Sequence, residues 1–155
     1  MIPLDMKTLP ILGEPQPQAD GIDIPFWEAL NAGHFKMQRC GDCAEWIWSP
    51  QWRCGDCGSW NVIWEETPAV GIVHSWTRNY QAFLPEWADL IPYVTLMVEL
   101  PHAGSYRLMG LLIGSEEKLQ IGAEVVGVIQ PGKPPYDQAV MRWKLADQGT
   151  GESSQ

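Results

Sequence analysis

Cys40-Gly-Asp-Cys43 and Cys54-Gly-Asp-Cys57 are two identical turns that together contain all four cysteines of this 155-residue chain. Residues 44–53 separate the two turns. Two thiolate pairs at this spacing can place four sulfurs tetrahedrally around one zinc ion, and the glycine inside each turn lets the backbone fold tightly around the metal. The pattern therefore predicts a zinc ribbon with these four cysteines as ligands, in which iron can replace zinc in recombinant protein.

The same cysteines could instead form a pair of disulfides or stay as four buried thiols without a metal. Disulfides suit a secreted chain, and the N-terminus Met-Ile-Pro-Leu-Asp has neither the basic nor the apolar segment of a signal peptide. A site of four sulfurs leaves no position for a bound water, so we expect the metal to stabilise the fold without taking part in chemistry. We identify no internal repeat longer than this doubled turn.

The composition limits the classes of function. The net charge of −9 argues against nonspecific nucleic-acid binding, which depends on basic side chains that neutralise phosphates. No apolar run approaches the roughly 20 residues needed to span a membrane, and we expect a soluble, cytoplasmic protein. Five of the nine tryptophans lie in or beside the cysteine stretch, at Trp46, Trp48, Trp52, Trp60 and Trp64.

The chain divides by pattern into four segments. Residues 1–22 contain four prolines among scattered Ile and Leu, which indicates an extended arm. Residues 23–66 combine a short helix with the ribbon; Asp23 is the candidate N-cap and Gly33 ends the helix. Residues 67–145 form an all-β domain, and residues 146–155 form a polar tail that we expect to be disordered.

The all-β segment contains five strand patterns, at residues 70–80, 93–100, 106–113, 124–130 and 139–145. In the first, alternation places Ile72, His74 and Trp76 on one face. Residues 114–122 are short and polar, and favour a small helical connection between the third and fourth strands. Five strands with such a connection match the OB-fold barrel. The predicted fold class is mainly β: a short N-terminal helix, a rubredoxin-like zinc ribbon and a C-terminal five-stranded OB-fold barrel.

Several apolar groups are candidates for contact with another protein. Aromatic side chains are favoured at the centres of interfaces. Packing within the chain is the default explanation for the helix face and the ribbon tryptophans, and explains the loop as well as an interface does. The groups are one helix face, the ribbon tryptophans and the long apolar loop at residues 81–92. Their members are Phe26, Trp27, Leu30, Trp46, Trp48, Phe83 and Trp87.

No catalytic residue is predicted. The three histidines, His34, His74 and His102, lie near no nucleophile motif, and the four cysteines are assigned to the metal. The chain also lacks a glycine loop that could hold a phosphate. We therefore expect that the chain alone is not an enzyme.

A family resemblance covers about residues 23 to 145. Its motifs follow one another in a fixed order: Pro25-Phe-Trp-Glu-Ala-Leu30 with Gly33, Gln38-Arg39-Cys40-Gly-Asp-Cys43, Ser49-Pro50, Cys54-Gly-Asp-Cys57-Gly58-Ser59, Trp64-Glu65, Gly71-Ile-Val, Ile91-Pro-Tyr-Val94, Gly110 and Ile121-Gly122. As a set they resemble the acyl-CoA-associated zinc-ribbon/OB-fold family, a domain long catalogued as of unknown function. Ser49-Pro50 stands where relatives commonly have Pro-Pro, a neutral departure.

The resemblance implies a noncatalytic accessory subunit in a hetero-oligomer. The partner would be a thiolase-fold, lipid-transfer-protein-like subunit that acts on a coenzyme A thioester, and retro-aldol cleavage of a steroid side chain is the reaction we favour. Coenzyme A would bind only in the complex. Lys36, Arg39 and Arg53 flank the cysteine turns and are our candidates for contact with its phosphates.

Two alternatives remain at this stage. The same subunit role could serve a hot-dog-fold enoyl-CoA hydratase or a thiolase/acyltransferase complex. In another class, a nucleic-acid-binding OB domain would use stacking aromatics, which are present, and a basic groove, which the composition does not support.

Overall fold

The computed structural model describes residues 17–134 and 137–146. Residues 1–16, most of the predicted arm, and residues 147–155 of the predicted tail lie outside the described residues. Residues 17–22 are not extended: they form a turn in which the Gly21 N–H donates to the Gln18 carbonyl at 2.8 Å. The division at residues 66 and 67 stays a prediction.

The single α-helix of the described residues, α1 (Ile24–Asn31), lies where the sequence predicts it. Pro25 occupies the first turn, and Gly33 follows the helix with a φ of 83°. Asp23 stands at the N-cap position, but its side chain caps no helical N–H. It accepts instead from the Trp27 indole N–H at 3.0 Å and from the Gln18 backbone N–H at 2.8 Å. The predicted cap is therefore wrong, because these two donors hold the carboxylate.

The ribbon is a three-stranded antiparallel sheet in the order β2-β1-β3. Its strands are β1 (Lys36–Cys40), β2 (Trp46–Ile47) and β3 (Val62–Glu66). Both cysteine turns lie in the connections between these strands: the first joins β1 to β2, and the second lies between β2 and β3. The sheet thereby brings the two turns together.

The second sheet has five antiparallel strands in the order β6-β5-β4-β7-β8. The strands are β4 (Val70–Asn79), β5 (Tyr93–Leu100), β6 (Tyr106–Leu111), β7 (Glu124–Gln130) and β8 (Val140–Leu145). The sheet curls until its edges meet, where Leu112 bridges Trp143 in parallel and the Ile113 N–H donates to the Trp143 carbonyl at 2.8 Å. This order and closure confirm the predicted OB-fold.

Two details of the barrel differ from the sequence predictions. A register shift between Val73 and Ser75 breaks the alternation of β4, so that Trp76 pairs with inward-facing Leu96 and shares the face of Val73, not that of Ile72. The connection at residues 114–122 forms turns and no helix. Its ends, Gly114 and Gly122, both have positive φ, and a segment of nine residues is too short to nucleate a helix by itself.

One apolar core joins the helix, the ribbon and the barrel. Its buried members come from α1 and β1 as well as from the barrel strands, and include Phe26, Leu30, Phe35, Met37, Leu96 and Trp143. A smaller cluster of Trp87, Leu111 and Ile113 lies under the loop at residues 81–92, where Pro85–Trp87 forms a short 3-10 helix. The ribbon is therefore packed on the barrel and is stabilised by it.

Candidate metal centre and its surroundings

The four cysteine sulfurs converge at one point of the ribbon. All four Sγ atoms lie within 4.8 Å of one another, and the Cys40–Cys57 and Cys43–Cys54 pairs are each 3.6 Å apart. A disulfide requires about 2.05 Å, so these pairs are free thiols. Sulfurs about 2.3 Å from a tetrahedral zinc ion stand roughly 3.8 Å from one another, which this cluster matches. The residues present therefore fit a structural zinc ion with four sulfur ligands.

The electrostatics of the cluster also favour a bound cation. A backbone N–H donated by Cys43 to the Cys40 sulfur at 3.4 Å lowers the pKa of the Cys40 thiol to about 7. The backbone N–H of Glu45 lowers the pKa of Cys43. Burial and the other three sulfurs outweigh this effect and raise the pKa of Cys43 above its ordinary value, to about 12. Four packed thiols cannot all ionise without a compensating positive charge, which a zinc ion supplies.

The two cysteine turns have the same backbone structure. In the first, the Ala44 N–H donates to the Cys40 carbonyl at 3.0 Å, and in the second the Gly58 N–H donates to the Cys54 carbonyl at 3.1 Å. Ala44 and Gly58 both have positive φ, at 65° and 76°. The two turns are thus copies of one motif, although alanine in the first copy carries a side chain where glycine is preferred.

The repeat is longer than the four residues identified from the sequence. Arg39 and Arg53 precede the two turns, and each donates its Nε–H to the carbonyl five residues ahead, at Ala44 and Gly58. The Arg39 guanidinium lies 4.9 Å from the centre of the Trp46 ring. The Arg53 guanidinium lies 5.8 Å from that of Trp60. The repeating unit is Arg-Cys-Gly-Asp-Cys-x-x-Trp. Its arginine donates to a carbonyl of the cysteine turn and lies against the tryptophan ring.

The aspartates of the two turns differ in their surroundings. Asp42 accepts hydrogen bonds from the Ser59 hydroxyl and from the Asn61 side-chain amide, the latter at 2.9 Å. These bonds, that of Ser59 first, lower the pKa of Asp42. They tie the first turn to the connection that follows the second one. Asp56 has no such partner among the described residues, a difference that the identical sequences do not reveal.

The three cations predicted to contact coenzyme A do not form one cluster. Lys36 and Arg39 lie three positions apart on β1, so their side chains leave opposite faces of the ribbon sheet. Arg39 pairs with Glu65 at 3.1 Å, and Arg53 is bound to its own turn. Lys36 forms no ion pair with any residue that the structure describes.

The residues predicted to contact a partner lie in different environments. Phe26 and Leu30 are buried, and Trp27, Trp46 and Trp48 are partly buried against the same core. Phe26 packs on Trp27 and Trp48 with ring centres 5.2 and 5.4 Å apart. In the loop at residues 81–92, Trp87 is buried at 3% exposure, whereas Phe83 is 75% exposed. Of these seven residues, Phe83 alone is fully available at the surface.

The three histidines lie apart from one another, each with its own neighbour. His34 Nδ1 is 2.8 Å from Glu66, and His74 Nδ1 is 3.5 Å from Glu99. The His102 Nε2–H donates to the Pro68 carbonyl at 3.0 Å. None of these contacts involves a serine or cysteine nucleophile.

The fold and the site together define a zinc-ribbon protein with an appended OB-fold. Two family models match it in succession: "ChsH2, rubredoxin-like zinc ribbon domain" over residues 27–62 and "ChsH2, C-terminal OB-fold domain" over residues 64–130. The chain belongs to the ChsH2 family of zinc-ribbon and OB-fold proteins, also called DUF35.

Solved structures include similar chains. A chain of the structure described as "Ltp2-ChsH2(DUF35) aldolase" is 25% identical with a TM-score of 0.73, and the match covers 84% of this chain and 98% of that chain. A DUF35-family protein of unknown function from Sulfolobus solfataricus is 17% identical with a TM-score of 0.54, and the match covers 83% and 87% of the two chains. This second likeness concerns the fold alone. A search of curated proteins found no significant match.

Helices that could cross a membrane are absent from the described residues. None of the helices there has the length and apolar character that crossing a bilayer requires.

Proposed function

We propose that this chain is the noncatalytic accessory subunit of an acyl-CoA aldolase. Its partner is an Ltp2-type subunit of the thiolase fold, which carries the catalytic residues. The substrate class is a coenzyme A thioester with a steroid side chain, cleaved by a retro-aldol reaction. The chain stabilises the partner and helps to shape the site for the thioester.

The observation that carries this proposal is the match to a chain of the Ltp2-ChsH2(DUF35) aldolase. The match covers 84% of this chain and 98% of that chain, and the two ChsH2 family models cover residues 27–62 and 64–130 of this chain. The likeness therefore extends over both the ribbon and the barrel, as expected for a subunit with the same role.

The chemistry of the site is consistent with an accessory role. A zinc ion held by four sulfurs has no open position for a substrate or a water, and so cannot act as a Lewis acid in the reaction. The histidines of the described residues contact Glu66, Glu99 and a backbone carbonyl, and none lies beside a nucleophile. The reacting groups would then belong to the partner.

Among the three cations considered for coenzyme A, we retain Lys36. Its ammonium group has no partner within the described residues, whereas Arg39 and Arg53 are both engaged with their own turns. A single lysine can bind a phosphate as a point charge. Replacement of Lys36 by alanine is expected to weaken coenzyme A thioester binding by the complex several-fold; an unchanged affinity would exclude this contact.

The test is reconstitution with the Ltp2-type protein of the same organism. The two proteins are produced separately and together, and the mixture is analysed by size-exclusion chromatography with light scattering. A steroid side-chain β-hydroxyacyl-CoA is then offered to each protein alone and to the complex. We expect a stable hetero-oligomer, and retro-aldol cleavage by the complex that our chain alone does not perform.

Two outcomes would contradict the proposal. One is the absence of a complex with the Ltp2-type protein when both are folded and zinc-loaded. The other is cleavage by our chain alone at the rate of the complex. A parallel mixture with a hot-dog-fold enoyl-CoA hydratase tests the alternative partner. If our chain binds the hydratase and not the Ltp2-type protein, it is reassigned as a subunit of the hydratase.

A further inference from the structure

The two copies of the Arg-Cys-Gly-Asp-Cys-x-x-Trp unit differ in what covers them. Both copies stack an arginine on a tryptophan and hold it on the carbonyl five residues ahead. The local structure is therefore the same. Any difference between the outer surfaces of the two copies reflects the presence or absence of a further element packed on them.

The outer surface of the first copy is occupied by the protein itself. Glu65, on the neighbouring strand β3, gives both of its carboxylate oxygens to Arg39 at 3.1 Å. Trp46 packs against the turn at Gly104, where an added Cβ would lie 3.1 Å from the Trp46 Cβ. In the first copy, therefore, the Glu65 carboxylate covers the arginine and the turn at Gly104 covers the tryptophan.

The corresponding surface of the second copy has neither of these elements. Arg53 forms no ion pair with any residue in the described ranges. Trp60 is 72% exposed, and Trp52, which directly precedes Arg53, is 53% exposed. Tryptophan and arginine are among the residue types enriched at the centres of protein–protein interfaces.

We propose that the second-knuckle surface, formed by Trp52, Arg53 and Trp60, is a docking site for the Ltp2-type partner subunit. This inference rests on the proposed function and adds the location of the contact. The first copy serves as the template for the occupant. The partner contributes a loop with a carboxylate that pairs with Arg53 and a glycine or other small residue that packs on Trp60.

Charge complementarity supports a protein carboxylate as the occupant. The chain has a net charge of −9, and Arg53, which has no carboxylate partner among the described residues, offers an acidic loop of the partner a positive charge beside the exposed ring of Trp60. Trp52 also donates its indole N–H to Asp20 at 2.9 Å, which fixes its ring at the edge of this surface. A preformed surface binds at lower entropic cost than a mobile one.

The experiment compares variants for affinity to the Ltp2-type subunit by isothermal titration calorimetry. Trp60→Ser and Arg53→Glu remove the two elements, and each is expected to weaken binding at least about 30-fold, as interface centres do. Lys118→Glu and Ile121→Ser are matched controls, because Lys118 is exposed and Ile121 is 70% exposed, and both lie outside the ribbon in the connection between β6 and β7. Both controls are expected to bind like the wild type.

Zinc content and unfolding temperature are measured for every variant. Arg53 holds the Gly58 carbonyl, so Arg53→Glu could loosen the metal turn. Trp60→Ser alters an exposed ring and keeps the proposal testable if that happens. In a second step, acidic residues of the partner are replaced by arginine one at a time, and one of these changes is expected to restore the affinity lost in Arg53→Glu.

The outcomes separate this inference from the proposed function. If the wild type binds the partner and Trp60→Ser and Arg53→Glu bind it with the same affinity, the docking site is overturned and the subunit role stays intact. Failure of the wild type to bind would overturn both. The other possible occupant of this surface is the segment of residues 1–16, and a chain without that segment tests it. If the segment covers the surface, its deletion increases the acrylamide quenching of Trp60, measured relative to the same deletion in Trp60→Ser. That result too would overturn the inference.

Discussion

Gly110 lies against the edge of the Trp143 ring, so that a Cβ added to the glycine would come 2.6 Å from Trp143 Cδ1. The two residues belong to β6 and β8, the strands that meet where the barrel closes. Trp143 is completely buried and is the largest fully buried side chain of the core. The absence of a side chain at residue 110 therefore allows the tryptophan to fill the barrel.

This contact predicts that Gly110→Ala destabilises the protein. The methyl group would displace the Trp143 ring, and overpacking of this kind costs about 1–3 kcal/mol in the free energy of unfolding. Gly55→Ala is the matched control: although Gly55 lies in the second cysteine turn, it is not among the glycines with positive φ, and its Cβ would meet nothing closer than a Gln51 side-chain oxygen at 4.0 Å. Urea unfolding of both variants measures the difference; equal stability of the two would contradict the packing described.

Trp87 and Phe83 lie in one loop but are expected to differ in their effect on stability. Trp87 packs on Leu111 and Ile113, with its ring 4.7 Å from that of Tyr93. Trp87→Ala should cost about 3–5 kcal/mol of unfolding free energy, because it leaves a large cavity. Phe83→Ala should change stability by less than about 0.5 kcal/mol, because the ring is exposed. Thermal and urea unfolding check both values, and a comparable loss in Phe83→Ala would show that its ring is packed.

The hydrogen bonds of Asp42 predict that the two identical turns respond differently to the same substitution. Asp42→Ala removes the acceptor for Ser59 and Asn61 and should lower both the unfolding temperature and the retention of zinc against a chelator. Asp56→Ala should leave both unchanged. Zinc release to a chromogenic chelator measures the retention, and faster release from the Asp56 variant would contradict the assignment.

Removal of the metal is expected to affect more than the ribbon. Because β1 and α1 share their core with the barrel, chelation should expose Phe35 and Met37 and lower the stability of the whole chain. The purified protein should contain one zinc ion per chain, and Cys57→Ser should lose it. Elemental analysis and circular dichroism before and after chelation, with zinc added back as control, test this. A native spectrum without metal would contradict the structural role.

The sequence is most informative where periodicity and motif spacing determine the structure. Strand β5 is predicted with its bounds, because Val94, Leu96, Val98 and Leu100 alternate without interruption and are all buried. The four cysteines are recognisable because their spacing is itself the geometric requirement of the metal. Membership of the family follows from motifs distributed over most of the chain.

The features that depend on tertiary contacts could not be predicted in this way. The bulge in β4 is set by its pairing with β5 and β7 and leaves no mark in the apolar pattern. Trp46 and Trp48 are candidates for a surface by sequence, yet they pack on the shared core, which only the docking of the ribbon on the barrel creates. The extended Arg-to-Trp repeat is visible in the sequence but becomes recognisable only from its repeated contacts.

The central claim is that this chain supports an aldolase without supplying its catalytic groups. The most direct measurement is the turnover number of the reconstituted complex in which His34, His74 and His102 of this chain are all replaced by glutamine. Complex formation is confirmed for the variant before the assay. The account predicts retro-aldol turnover within about twofold of the wild-type complex, because none of the three rings takes part in the reaction. An intact complex with turnover reduced by two orders of magnitude or more would place a catalytic residue in this chain and contradict the account.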